Sequence, residues 1–125
     1  MTDDEKKRLA ADCDGLLTYE YIANHIGTDA LDIDWLTDNI IRADANGQFT
    51  GSAARYLHAI DPDHFADEVS RLISATIDKD RERRYLPALM QGIWGDDCEA
   101  RAAELSATND NFRRIYKRLY PTSAI

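Results

Sequence analysis

The chain has little of the residues that mark several structural classes. It holds two cysteines, three prolines and six glycines in 125 residues. Two cysteines, Cys13 and Cys98, cannot build the disulfide framework of a small secreted domain. The N-terminus, Met1 to Arg8, is polar and acidic with no apolar segment behind it, so a secretory leader is not expected and the two thiols are read as reduced. No apolar run approaches the ~18 residues that a membrane span needs. Period-two alternation is scarce, which argues against strands. Catalytic signatures such as G-x-S-x-G, H-E-x-x-H or a glycine-rich phosphate loop are missing too. The expectation is a cytoplasmic protein that makes no membrane contact.

What is present suffices for a core. Apolar residues make up 44% of the chain, enough to exclude wholesale disorder. The length suits a single domain covering 1–125. The net charge of −8 is unevenly placed, because residues 1–78 hold 6 Lys/Arg and 16 Asp/Glu whereas residues 79–125 hold 9 and 7. An acidic field repels nucleic acid and anionic membranes, and it favours basic partners.

Apolar residues recur at helical spacing nearly everywhere. Ile33, Leu36 and Ile40 make one stripe, Ala53, Tyr56, Leu57 and Ile60 a second, and Phe65, Val69, Leu72, Ile73 and Ile77 a third. Thr18 and Thr50 or Ser52 read as N-caps, Gly27 and Gly95 as C-terminal stops, and Asp61-Pro62 as a helix start. The alternating charges of Lys79–Arg84 read as the solvated tail of a long helix, which Pro87 kinks or ends. The pattern predicts an all-α compact bundle of five to seven short helices, with no internal repeat.

One stretch resembles a helix-turn-helix unit. Between Thr18 and Leu36, Ala23, Gly27, Ile33 and Leu36 fall where such a unit wants a small residue, a turn glycine and two inward aliphatics. Its second helix carries Asp29, Asp32, Asp34 and Asp38 and no cation before Arg42, the wrong charge for a helix entering a DNA groove. A helix-turn-helix-like scaffold that faces a protein partner fits those residues better.

Metal and nucleophile chemistry find weaker support. Asp44-Ala-Asn46-Gly47 resembles the middle of an EF-hand loop, but Arg42 and Ala53 stand where two carboxylate ligands are required. His58, Asp61, Asp63, His64 and Glu68 form a cluster of metal-ligand types, yet Asp61 is needed as a helix cap and no second His or Cys pair closes a site. Both cysteines sit between carboxylates, which raise a thiol pKa. No catalytic residue, metal site or cofactor is expected.

The final helix carries the basic surface. Phe112, Ile115, Tyr116 and Leu119 face inward, while Arg113, Arg114, Lys117 and Arg118 line the outside. The function expected is therefore a protein–protein interaction or regulatory module, contacting a partner or a second copy through Asp29, Asp32, Asp34, Asp38, Arg113, Arg114, Lys117 and Arg118. A nucleic-acid-associated regulator on the helix-turn-helix scaffold is the first alternative, disfavoured by charge. A metal- or ligand-binding domain with enzymatic activity is the second.

Overall fold

In the computed structural model, which describes residues 1–28 and 31–123, all the regular elements are helices. They are α1 (Asp3–Ala10), α2 (Leu16–His25), α3 (Ile33–Ala43), α4 (Gln48–Ile60), α5 (Ala66–Lys79), α6 (Leu86–Trp94), α7 (Ala102–Thr108) and α8 (Asp110–Leu119), with a 3-10 turn at Cys98–Arg101 before α7. The described residues thus form eight α-helices rather than five to seven. Two boundaries set this count. α5 stops at Lys79, so the mixed-charge stretch after it is a turn and not a helical tail. Asn109 caps α8 by accepting the backbone N–H of Phe112 at 3.0 Å, which separates it from α7. None of these helices is long and apolar enough to cross a membrane.

The chain repeats one local device that the apolar pattern hides. Asp12, Asp44 and Asp80 are all buried, and each follows a first helix and precedes a second. The Asp12 carboxylate accepts the backbone N–H groups of Asp14, Gly15 and Thr18 at 3.2, 3.0 and 2.9 Å, and the Thr18 hydroxyl at 2.6 Å. Asp44 accepts the equivalent groups of Asn46, Gly47, Phe49 and Thr50, with the Thr50 hydroxyl at 3.0 Å. Asp80 accepts Arg84, Tyr85 and Leu86 at 2.7–2.9 Å. Each carboxylate satisfies the orphan N–H groups of the helix that follows, as a cap does, but from outside the turn. Thr18 and Thr50 are therefore not the N-caps that the sequence suggests. They lie inside the first turn of α2 and α4, and their hydroxyls donate back to the aspartate.

The turns need a left-handed residue between aspartate and helix. Gly15 (φ +97°), Gly47 (φ +91°) and Arg83 (φ +58°) supply it. Successive turns stack closely: a Cβ on Gly15 would lie 3.2 Å from that of Phe49, and one on Gly47 would lie 3.2 Å from that of Asp80. Arg83 belongs to the last of the three turns and is exposed, so a side chain fits there. The octets Ala11–Thr18 and Ala43–Thr50 share Ala, Asp, an Asp or Asn, Gly and Thr at matching places, and the aspartates are spaced by 32 and then 36 positions. An internal repeat is present, contrary to the expectation drawn from apolar spacing.

Stacked units produce two rows of helices. The first helices α1, α3 and α5 run parallel, held by side chains of each on its predecessor. Asn39 donates to the Leu9 carbonyl and Arg42 to the Ala10 carbonyl. Arg71 reaches Asp34 and Asp38, while Thr76 of α5 donates across the rows to the Thr50 hydroxyl of α4. α8 continues this row beside α5, with Asn111 on Ser70, Arg114 on Ser74 and Asp78, and Arg118 on the carbonyls of Ile77 and Asp80. The second row is α2, α4 and α6, each in contact with the next. Between the rows lies the core, with Leu9, Leu36, Ile40, Leu72 and Phe112 from one side meeting Ile22, Leu57 and Leu89 from the other. After α8, Tyr120 stands where the next turn aspartate would be.

Candidate functional site

The residues singled out in the sequence sort into two charged faces on opposite sides of α5. Asp29 lies outside the described residues. Asp32 is the N-cap of α3, accepting the Trp35 N–H at 3.1 Å, and it pairs with Lys6 at 3.2 Å. These two bonds, the Trp35 N–H foremost, hold its carboxyl below the ordinary aspartate range. Asp34 and Asp38 meet on Arg71, at 2.5 and 2.6 Å, and Asp67 joins from the preceding turn of α5 at 3.2 Å. One guanidinium thus serves three exposed carboxylates. Glu68 stands beside them, since Asp34, Asp67 and Glu68 can bring ligand oxygens within 4.8 Å of one another. Arg71 is the cation of this cluster, and the sequence offered no sign of it, because it lies 33 positions from Asp38.

The other ligand types are held apart. His58 lines a cavity of about 550 Å³ bounded by α5, Trp94 and the start of α8, whereas His64 lines a separate groove with Ile33, Ile60 and Phe65. Asp61 accepts the His64 backbone N–H at 3.1 Å in the turn before α5, which starts only at Ala66, so Asp61-Pro62 is not the helix start that the sequence suggests. Asp44, the central residue of the EF-hand-like stretch, has both carboxylate oxygens engaged by its turn. Of the thiols, Cys13 is exposed in the first turn and Cys98 is buried, and both are free. Burial, followed by the neighbouring Glu99, pushes the Cys98 thiol up, away from a reactive thiolate.

The basic residues of α8 converge. Arg113, Arg114, Lys117 and Arg118 line one depression of about 370 Å³ together with Ile77 and Asp78 of α5. Their charges are unequally answered. Arg113 pairs with Asp110, lowering that carboxyl, and Arg114 pairs with Asp78 at 3.2 Å. Arg118 donates only to the neutral carbonyls of Ile77 and Asp80, at 2.8 and 3.1 Å. Lys117 is exposed and makes no hydrogen bond or ion pair among the described residues.

The third turn enlarges this face. Arg83 donates to the Arg118 carbonyl at 3.2 Å, which brings this one turn arginine to the end of α8. Arg83, Arg113, Arg114, Lys117 and Arg118 stand there against Asp78 and Asp110, so this face is positive on a protein of net charge −8. Arg81 and Arg84 line a separate depression with Asn46 and Glu82. Of the aromatic residues near the face, Trp94 packs edge-on against Phe112 at 5.2 Å and Tyr120 lies over Tyr116 at 4.8 Å.

Compared with known proteins, the chain matches no family model, no curated protein and no solved structure.

Proposed function

We propose that this protein is a protein–protein interaction module that meets an acidic partner through the basic face of α8 and the α5–α6 turn. The convergence of Arg113, Arg114, Lys117 and Arg118 in one depression carries this reading. Lys117 and Arg118 keep charge that no carboxylate among the described residues neutralises, and such charge is available for steering and for register. Stacked helical pairs suit this use, because they present extended surfaces that rest on a rigid core. The helix-turn-helix-like segment Thr18–Leu36 serves as scaffold here, forming the join between the first two units. In this reading the chain acts by binding and needs no cofactor.

The test is paired capture from the native cell lysate with the parent and with an Arg113→Glu/Lys117→Glu variant. Acidic proteins retained by the parent and lost by the variant are the expected result. Identical retention by both proteins would remove the reading.

A nucleic-acid-associated role is the second reading, and the same basic face is the observation in its favour. Its would-be recognition helix, α3, presents Asp34 and Asp38, which phosphates would repel. Titration of a random-sequence duplex at about 50 mM salt tests it, since phosphate contacts are strongest when screening is weak.

A further inference from the structure

We infer that the partner supplies an acidic helix that takes the next place in the row of first helices, lying along the free flank of α8. This rests on the interaction-module reading above and adds the shape and position of the occupant.

Position comes from the array. Counted back from the turn, Arg71 of α5 stands nine residues before Asp80 and bonds Asp34, ten before Asp44. Asn111 of α8 repeats that relation on Ser70, with Tyr120 in the turn place. Each first helix is therefore covered, in parallel and in near-constant register, by the one that follows. α1 is covered by α3, α3 by α5 and α5 by α8. The corresponding flank of α8 carries Asp110, Arg113 and Lys117, all exposed.

Chemistry comes from the charges on successive flanks. α3 offers Asp34 and Asp38, and the helix that covers it brings Arg71. α5 offers Ser74 and Asp78, and its cover brings Arg114. Each cover thus answers the flank beneath it. The flank of α8 is cationic, with Arg113 and Lys117 one turn apart, so its cover carries carboxylates at the same spacing.

The first helix of a second copy does not fit this place. In the same register, Lys6 and Lys7 of its α1 would come level with Arg113 and Arg114, like charge on like. The occupant is consequently an acidic helix, unlike α1.

The experiment uses the full chain and a synthetic probe: an alanine-based peptide of about 20 residues, long enough to form helix in water. Its glutamates lie at i, i+4 and i+7 on one side, and a control of the same composition scatters them. Fluorescence anisotropy at about 50 mM salt, where screening is weak, should show binding of the striped peptide. Arg113→Glu/Lys117→Glu should weaken it at least tenfold, Arg113→Gln/Lys117→Gln by less, and Lys7→Glu/Arg8→Glu on α1 should leave it unchanged. All substituted residues are partly or fully exposed, and far-UV circular dichroism confirms that the helices persist.

Equal binding of the two peptides, or none, overturns the inference. So does a duplex oligonucleotide that competes at this face more tightly than the striped peptide, or a doubled light-scattering mass that Arg113→Glu/Lys117→Glu abolishes. The two claims fail separately. If lysate partners survive Arg113→Glu/Lys117→Glu but are lost on Asp34→Lys/Asp38→Lys, the protein is still an interaction module and this occupant is wrong.

Discussion

Lys79 donates its ammonium to the backbone carbonyl of Asp44 at 2.6 Å, which ties the start of the third turn to the second. Arg42 makes the same kind of bond to the Asp12 carbonyl at 3.4 Å, and Arg118 makes it to the Asp80 carbonyl at 3.1 Å. A cation near the end of each first helix thus clasps the previous turn. The chemistry suits the place, since the last carbonyls of a helix carry partial negative charge. Stability in this protein is threaded through the turns, and the perturbations below follow from that.

Asp44→Ala removes the acceptor for four backbone N–H groups and the Thr50 hydroxyl in a buried setting. Each buried donor left alone costs about 1–3 kcal/mol, with partial rescue by water. The expected loss is about 3–5 kcal/mol by urea unfolding, against less than about 1 kcal/mol for the exposed Asp14→Ala. Similar losses for the two would contradict the capping role.

Gly47→Arg forces a side chain into the left-handed region and against Asp80 and Thr76, whose atoms lie 3.2–3.3 Å from a Cβ there. It should cost at least about 2 kcal/mol. Arg83→Gly, at the equivalent place in the third turn, relieves the same backbone conformation and gives up an exposed bond. Its stability should stay within about 0.5 kcal/mol of the parent. Thermal midpoints of the two variants provide the comparison.

Arg71→Met leaves Asp34, Asp38 and Asp67 facing one another without their cation. The pairs are largely exposed on the carboxylate side, so each is worth little alone, and together they should cost about 1–2 kcal/mol. Repulsion among exposed carboxylates is screened, so the deficit should shrink between about 50 and 500 mM salt. A deficit independent of salt would assign the effect to lost packing instead.

Glu5 is held down to about 2, from the ordinary 4.5, chiefly by the Tyr21 hydroxyl and then by the Thr2 backbone and side chain. In Asp12, burial pushes the carboxyl up, but the bonds from Thr18, Gly15 and Asp14 outweigh it and leave the group below its usual range. Both groups are more acidic folded than unfolded, so their contribution is complete above the unfolded pKa and is lost as pH falls towards the folded value. Stability should therefore decline between about pH 4.5 and 2. Tyr21→Phe removes the leading cause for Glu5 and should flatten that decline. An unchanged pH slope in this variant would separate Tyr21 from the titration of Glu5.

Much of the architecture was open to reading from composition and spacing. Helical class, the apolar stripes of α3 and α5, and the outward cations of α8 follow from side chains whose periodicity matches 3.6 residues per turn, a purely local property; in the α4 stripe Ala53 and Leu57 are buried but Ile60 is exposed. The ends of helices were read less well. Thr18 and Thr50 looked like caps because a hydroxyl before an apolar run usually is one, whereas the capping carboxylate comes from six positions earlier, across a left-handed residue. The signal was nevertheless in the chain, as the matching octets at 11–18 and 43–50.

Pairing across the rows was decided by tertiary structure alone. Nothing near Arg71 in sequence reveals that it joins Asp34 and Asp38, and nothing near Arg83 reveals that it meets the end of α8. Those contacts exist because three buried aspartates set first helices parallel and in register, and register converts distant positions into neighbours. Sequence by itself determined which residues would be helical and which would carry charge. Only the stacking of the turns decided which charges are answered among the described residues, and that Lys117 is left there without a carboxylate.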